Sequence, residues 1–171
     1  MPQQLRIAIA IALLIVTGVV VPTLARQMGG TSEGVAALDQ AWVKAAKAGD
    51  VEGLVALYAP EAVLYTPDAM ELRGTAAIRQ HYVEMMKMVA IKDMKITSSQ
   101  YHTAGDVSVG WFRWTMVAVP TDSPDPITLE GRATAIARKV NGKWLYINDH
   151  ASVPAPAPPP APAAKPRSSV N

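Results

Sequence analysis

The chain of 171 residues has no cysteine, one phenylalanine and three histidines. Without thiols it has no disulfide framework, no thiolate metal site and no cysteine nucleophile. His81, His102 and His150 include no pair at metal-ligand spacing, so no metal site is expected. Each reads as a structural histidine, and no cofactor is implied. Ser152 and His150 lie too close in one strand to act as a hydrolase pair, and no glycine-flanked nucleophile elbow is present. A basic stripe interleaved with aromatics is also missing. The net charge of +2 comes from the ends: residues 31–153 hold 12 Lys/Arg and 14 Asp/Glu. That middle is slightly acidic, which disfavours nucleic acid as a partner.

The residues that are present fall into three zones. Ile7 to Ala25 is a run of 19 uncharged residues, too little for a polytopic membrane protein. Arg6, the apolar run Ile7–Val21, Pro22 and the small-x-small end Thr23-Leu24-Ala25 read as a signal peptide over residues 1–25. The other reading is an uncleaved N-terminal anchor, since residues 7–25 are just long enough to span a bilayer. Either one puts the domain outside the cytoplasm, periplasmic or secreted. Residues 154–171 alternate Pro and Ala and can build no core. They are expected to be a disordered tail: an extended spacer, an unselected end or a ligand for a proline-binding module. All ten aromatics lie between Trp42 and Tyr146, so residues 26–153 form the domain.

Within it, Val35, Leu38, Trp42, Ala45 and Ala46 keep helical spacing. Asp50 caps a second helix carrying Val51, Leu54, Val55 and Tyr58, which Pro60 ends. Ala62–Thr66 and Glu71–Arg73 read as short strands about a Pro67-Asp68 turn. Thr75 starts a third helix with Ile78, Tyr82, Met85 and Val89 on one face. Met85, Met86 and Met88 fill core or form a lip. The period then becomes two over Lys92–Thr103, Val107–Val119, Ile127–Arg138 and Lys143–Ser152. Three N-terminal helices packed in a curved antiparallel sheet is an α+β arrangement.

Asn141-Gly142 predicts a two-residue type I′ hairpin. In an unbroken register paired numbers then sum to 283. Thr134 faces Asp149, and Arg132 lies diagonal to it on a face shared with Ile136, Leu145 and Ile147. The Arg132–Asp149–Thr134 cluster is either a structural ion pair or the polar end of a pocket. If buried, losing Arg132 should cost roughly 3–5 kcal/mol. Arg132 would also hold Asp149 charged, as an anchor more than a base. The opposite face would carry Trp144, Tyr146 and His150, an aromatic patch suited to a homodimer interface.

Several strings in order resemble the SnoaL-like, nuclear-transport-factor-2-like superfamily: Ala48-Gly49-Asp50, Leu57–Val63, Gly74–Arg79, Gly131–Thr134, Gly142-Lys143-Trp144 and Asp149–Ser152. The closing strings are also similar to the association domain of calcium/calmodulin-dependent protein kinase II, an oligomerisation module. The resemblance implies a cone-shaped fold over residues 32–153 and dimerisation through the sheet. Its ketosteroid isomerases use an Asp base with a Tyr and a protonated Asp as oxyanion hole. Those three positions here are Thr66, Trp42 and Thr134, so that chemistry is not expected.

The expectation is therefore an exported domain that binds a small organic molecule, dimerises, or both. The pocket would comprise Trp42, Tyr65, Thr66, Arg132, Thr134, Ile147 and Asp149. The alternatives are an isomerase, cyclase or hydratase with Asp149 as catalytic acid or base, and a pure oligomerisation module with a side-chain-filled cone.

Overall fold

The structure is a computed structural model and describes residues 33–155. Residues 1–25, expected to be a signal peptide or anchor, and residues 156–171 of the expected tail lie outside them. No helix among the described residues is long and apolar enough to cross a membrane.

Three helices precede most of the sheet: α1 (Val35–Ala48), α2 (Val51–Val55) and α3 (Gly74–Met88). The strands are β1 (Tyr58–Thr66), β2 (Ala69–Arg73), β3 (Val89–Ala104), β4 (Val107–Pro120), β5 (Ile127–Val140) and β6 (Lys143–Ser152). They form one six-stranded sheet in the order β2-β1-β6-β5-β4-β3. Every pairing is antiparallel except β1–β6, which is parallel, so the sheet is mixed where an antiparallel one was expected. The α+β cone itself is as anticipated.

Local chemistry sets most boundaries. The α1 start has no side-chain cap of its own; Ser108 Oγ on β4 accepts from the Val35 N–H at 3.1 Å. Asp50 caps α2 by accepting from Gly53 N–H at 2.8 Å. That helix stops at Val55, before Pro60, because the Leu57 carbonyl accepts from Tyr146 N–H and pulls Tyr58 onto β6. Pro60 then falls in a stretch of shifted register, where a missing N–H costs no ladder bond. Asn141 and Gly142 have φ of 50° and 79°, as a type I′ turn requires.

The core lies between the helices and the concave sheet face. Leu54 and Ile78 are fully buried there, and β5 contributes Ala133, Ala135 and Ala137. These three alanines matter for the site, because small side chains leave room opposite β6.

Candidate functional site

The site is built around a bulge. From the Asn141-Gly142 turn the β5–β6 register sums to 283 as far as Ala137–Tyr146. It then shifts by one: Ile136 pairs Asn148, Ala135 pairs Asp149, Thr134 pairs His150 and Arg132 pairs Ser152. The extra residue in β6 is Ile147. A bulge of this kind re-aims the side chains that follow it. Tyr146 and Asp149 both point inward, opposite Ala137 and Ala135, although they are three apart.

Four of the seven residues expected in the pocket lie elsewhere. Arg132 and Thr134 lie on the outer sheet face, in a shallow groove with Trp111, Arg113, His150 and Ser152. Arg132 is exposed and donates to Ser152 Oγ at 3.2 Å, so the Arg132–Asp149 pair does not form. Tyr65 donates to Glu71 and packs its ring edge against His150. Tyr65 and Ile147 do not line the cavity, whereas Trp42, Thr66 and Asp149 do. Of the three residues expected on the outer patch, His150 is there. Tyr146 is only 2% exposed and faces the core, and Trp144, on the same side by alternation, packs against it. Because Arg132 has no buried partner, Arg132→Met should move the unfolding free energy by less than about 0.5 kcal/mol in a denaturant titration. A loss of several kcal/mol would contradict its exposed placement.

Between the helices and the concave face lies a cavity of about 330 Å³. Its walls are apolar, with Met85, Ile91, Met94, Phe112, Trp114 and Leu129 among them. Its exposed lining residues Pro67, Asp68 and Val153 mark the mouth. The cone is therefore hollow, not packed full by Trp42 and its neighbours. His81 also lines it, beside the Tyr82 ring.

Two carboxylates sit in this apolar wall, each held by tyrosines. Asp149 Oδ2 accepts from the Tyr58 hydroxyl at 2.8 Å. The Tyr58 and Tyr82 oxygens are 2.8 Å apart, and Trp42 Nε1 donates to Tyr82 at 3.0 Å. Asp39, on α1, is 3% exposed and accepts from Tyr146 at 2.5 Å and Tyr101 at 3.0 Å. Burial raises Asp39 from 3.8 to about 7; the two tyrosine hydrogen bonds oppose it and the Asp149 charge adds to it. Burial likewise raises Asp149 from 3.8 to about 6, against the Tyr58 hydrogen bond and the favourable charge of His150. Tyr58 and Tyr146 are pushed well above 10, chiefly by burial. They remain neutral donors. Thr66 Oγ1 is buried without a hydrogen-bond partner.

Asp39 did not stand out from the sequence, although a signal was there. It falls on the apolar stripe of α1, between Leu38 and Trp42, where an acid has no solvent to face. In the sequence Tyr58 and Tyr82 show only as members of apolar helical stripes. The Tyr58 hydroxyl meets Asp149 across 91 residues of chain and the Tyr82 hydroxyl meets Tyr58 across 24, which no local pattern encodes.

The described residues hold no group of three or more His, Asp or Glu that could bind a metal ion. The arrangement offers two carboxyls of near-neutral affinity for protons inside an apolar chamber. Such groups can accept and return a proton at physiological pH.

A family model for the SnoaL-like domain matches residues 40–147. The chain belongs to the SnoaL-like domain family. The fold agrees with solved members of the nuclear transport factor 2-like superfamily. A superfamily protein from Salmonella enterica is similar with a TM-score of 0.65 at 21% identity, covering 75% of this chain and 94% of that one. A ketosteroid isomerase-like protein from Erwinia carotovora gives 0.62 at 19%, over 70% and 93%. A nuclear transport factor 2-like protein of unknown function from Pseudomonas putida gives 0.59 at 25%, over 72% and 86%. At these identities the likeness speaks for the fold. Within that fold, this SnoaL-like domain has Trp42 and Thr66 on the cavity wall, while Thr134 is outside it. The inward neighbours of Thr134 are alanines, so β5 brings no carboxyl to the cavity.

Proposed function

We propose that this SnoaL-like domain binds a small, largely apolar organic molecule in its cone and transfers a proton on it, with Asp149 as the acid/base. One observation carries the reading. Asp149 ends the Trp42–Tyr82–Tyr58 hydrogen-bond chain inside a cavity of about 330 Å³ whose walls are largely apolar. With Arg132 on the other face, no Lys or Arg among the described residues lines the cavity to pin Asp149 in its charged form, and its value near 6 suits a base at neutral pH. Isomerisation, dehydration and cyclisation all need such a group. The ketosteroid isomerase-like neighbour is compatible with this class of chemistry, although the isomerase base position here holds Thr66.

The hollow cone also speaks against a module that only assembles. Homodimerisation through the outer face, with His150 near the contact, and export through residues 1–25 complete the proposal. Native mass spectrometry of the purified chain tests the main reading. The wild type should carry or take up an apolar small molecule and convert it, and Asp149→Asn should hold the ligand without converting it. Equal conversion by both proteins would remove Asp149 from the chemistry.

A further inference from the structure

The hydrogen atoms around the cavity floor can be counted. Trp42 Nε1 is a donor only, and it donates to Tyr82. Tyr58 has one hydroxyl proton, and it goes to Asp149. The proton between Tyr58 and Tyr82 is therefore the Tyr82 proton, since the distance of 2.8 Å needs one and Tyr58 has none to spare. The chain runs one way, from Trp42 through Tyr82 and Tyr58 to Asp149. The protons of Tyr101 and Tyr146 are spent on Asp39 in the same manner. The Trp42 indole and the four phenols of this network thus have no hydrogen left for a ligand.

What remains is acceptor capacity. The Asp149 carboxylate receives the Tyr58 hydroxyl and the His150 backbone N–H, which leaves about two of its roughly four lone-pair sites open. Thr66 Oγ1 is buried and unpartnered. It sits one inward position along β1 from Leu64, and Leu64 is the register partner of Asp149. A hydroxyl can both donate to a carboxylate and accept from a threonine. A carbonyl cannot donate to Asp149; the wall offers it donors only at Thr66, the His81 ring and the Trp114 indole. Putting a carbonyl oxygen against Asp149 would also leave two acceptors facing each other in an apolar chamber, which is costly.

From this count we infer that the cavity selects an uncharged alcohol on an apolar skeleton over the matching ketone, with the hydroxyl hydrogen on Asp149 and its oxygen on Thr66. The inference rests on the binding reading above and adds the ligand class. Trp42 enforces the selection: a donor-only group at the head of the chain keeps every following hydroxyl turned toward Asp149.

Calorimetric titration of the full chain with β-ionol and β-ionone, an alcohol and a ketone on one skeleton, tests it. At about pH 8 Asp149 is ionised, and the alcohol should bind at least about tenfold tighter, the scale of one hydrogen bond to a charged group. Tyr58→Phe removes the acceptor of the Tyr82 proton and frees that hydroxyl for the cavity. The ketone should then gain affinity and the preference should shrink. Asp149→Asn should lose the preference as well. A ketone bound as tightly as the alcohol by the wild type, or a preference unmoved by Tyr58→Phe, overturns the assignment while leaving the cavity a binding site. Heat from neither compound contradicts the binding reading itself.

Discussion

The folded domain should lose stability as the pH rises from about 4 to about 8. Asp39 and Asp149 both bind a proton more tightly in the folded chain than at their ordinary value of 3.8. Between about pH 4 and pH 7 the folded state therefore carries more protons than the unfolded state, and stability falls with rising pH. Above both values the full penalty is present. For Asp39, raised to about 7, it is on the order of 4 kcal/mol, and for Asp149, raised to about 6, on the order of 3 kcal/mol. Domains of this size have only about 5–15 kcal/mol in total. The effect should be plain in thermal unfolding followed across that range. Asp39→Asn should remove the larger part of the slope, whatever it does to absolute stability. A melting temperature that climbs from pH 4 to pH 8 would mean that neither carboxyl is held in an apolar site.

The second large effect concerns chemistry. A positioned general base contributes about 10²–10⁴ in rate. Once a converted ligand is in hand, Asp149→Asn should lose that factor in kcat and leave ligand affinity changed far less. The wild-type rate should rise through about pH 6 as Asp149 ionises. Asp39 is covered by two tyrosines and titrates after Asp149: the Asp149 charge, formed near 6, helps to hold Asp39 protonated up to about 7. Asp39→Asn should accordingly leave the rising limb near pH 6, since Asp39 is still largely protonated there. A pH-independent rate would separate Asp149 from the reaction.

Much of this molecule was legible in its residues. The α1 stripe, the Asp50 cap, the switch to strands after α3 and the Asn141-Gly142 turn all follow from local chemistry. The type I′ turn even sets the first four pairs of the last hairpin correctly. The bulge at Ile147 then reverses the outcome, because one extra residue moves every later side chain of β6 to the other face. Nothing in Tyr146-Ile147-Asn148 marks it. The neighbours that impose it are in space: parallel pairing of Tyr58 with Tyr146, and of Leu64 with Asp149, has to be met on one side while β5 is met on the other. This is why Asp149 was correctly placed on the inner wall but given the wrong companions. Its true partner, Tyr58, is brought to it by β1 and is backed by Tyr82 from α3, while Asp39 comes from α1 to accept from Tyr146.

All of the functional account depends on the two carboxyls titrating near neutrality inside the cone. Carbon-13 NMR of the aspartate carboxyls in the folded chain measures this directly, with Asp39→Asn and Asp149→Asn supplying the assignments. The account predicts one midpoint near 7 for Asp39 and one near 6 for Asp149. Two midpoints at or below the ordinary aspartate value of about 4 would contradict it.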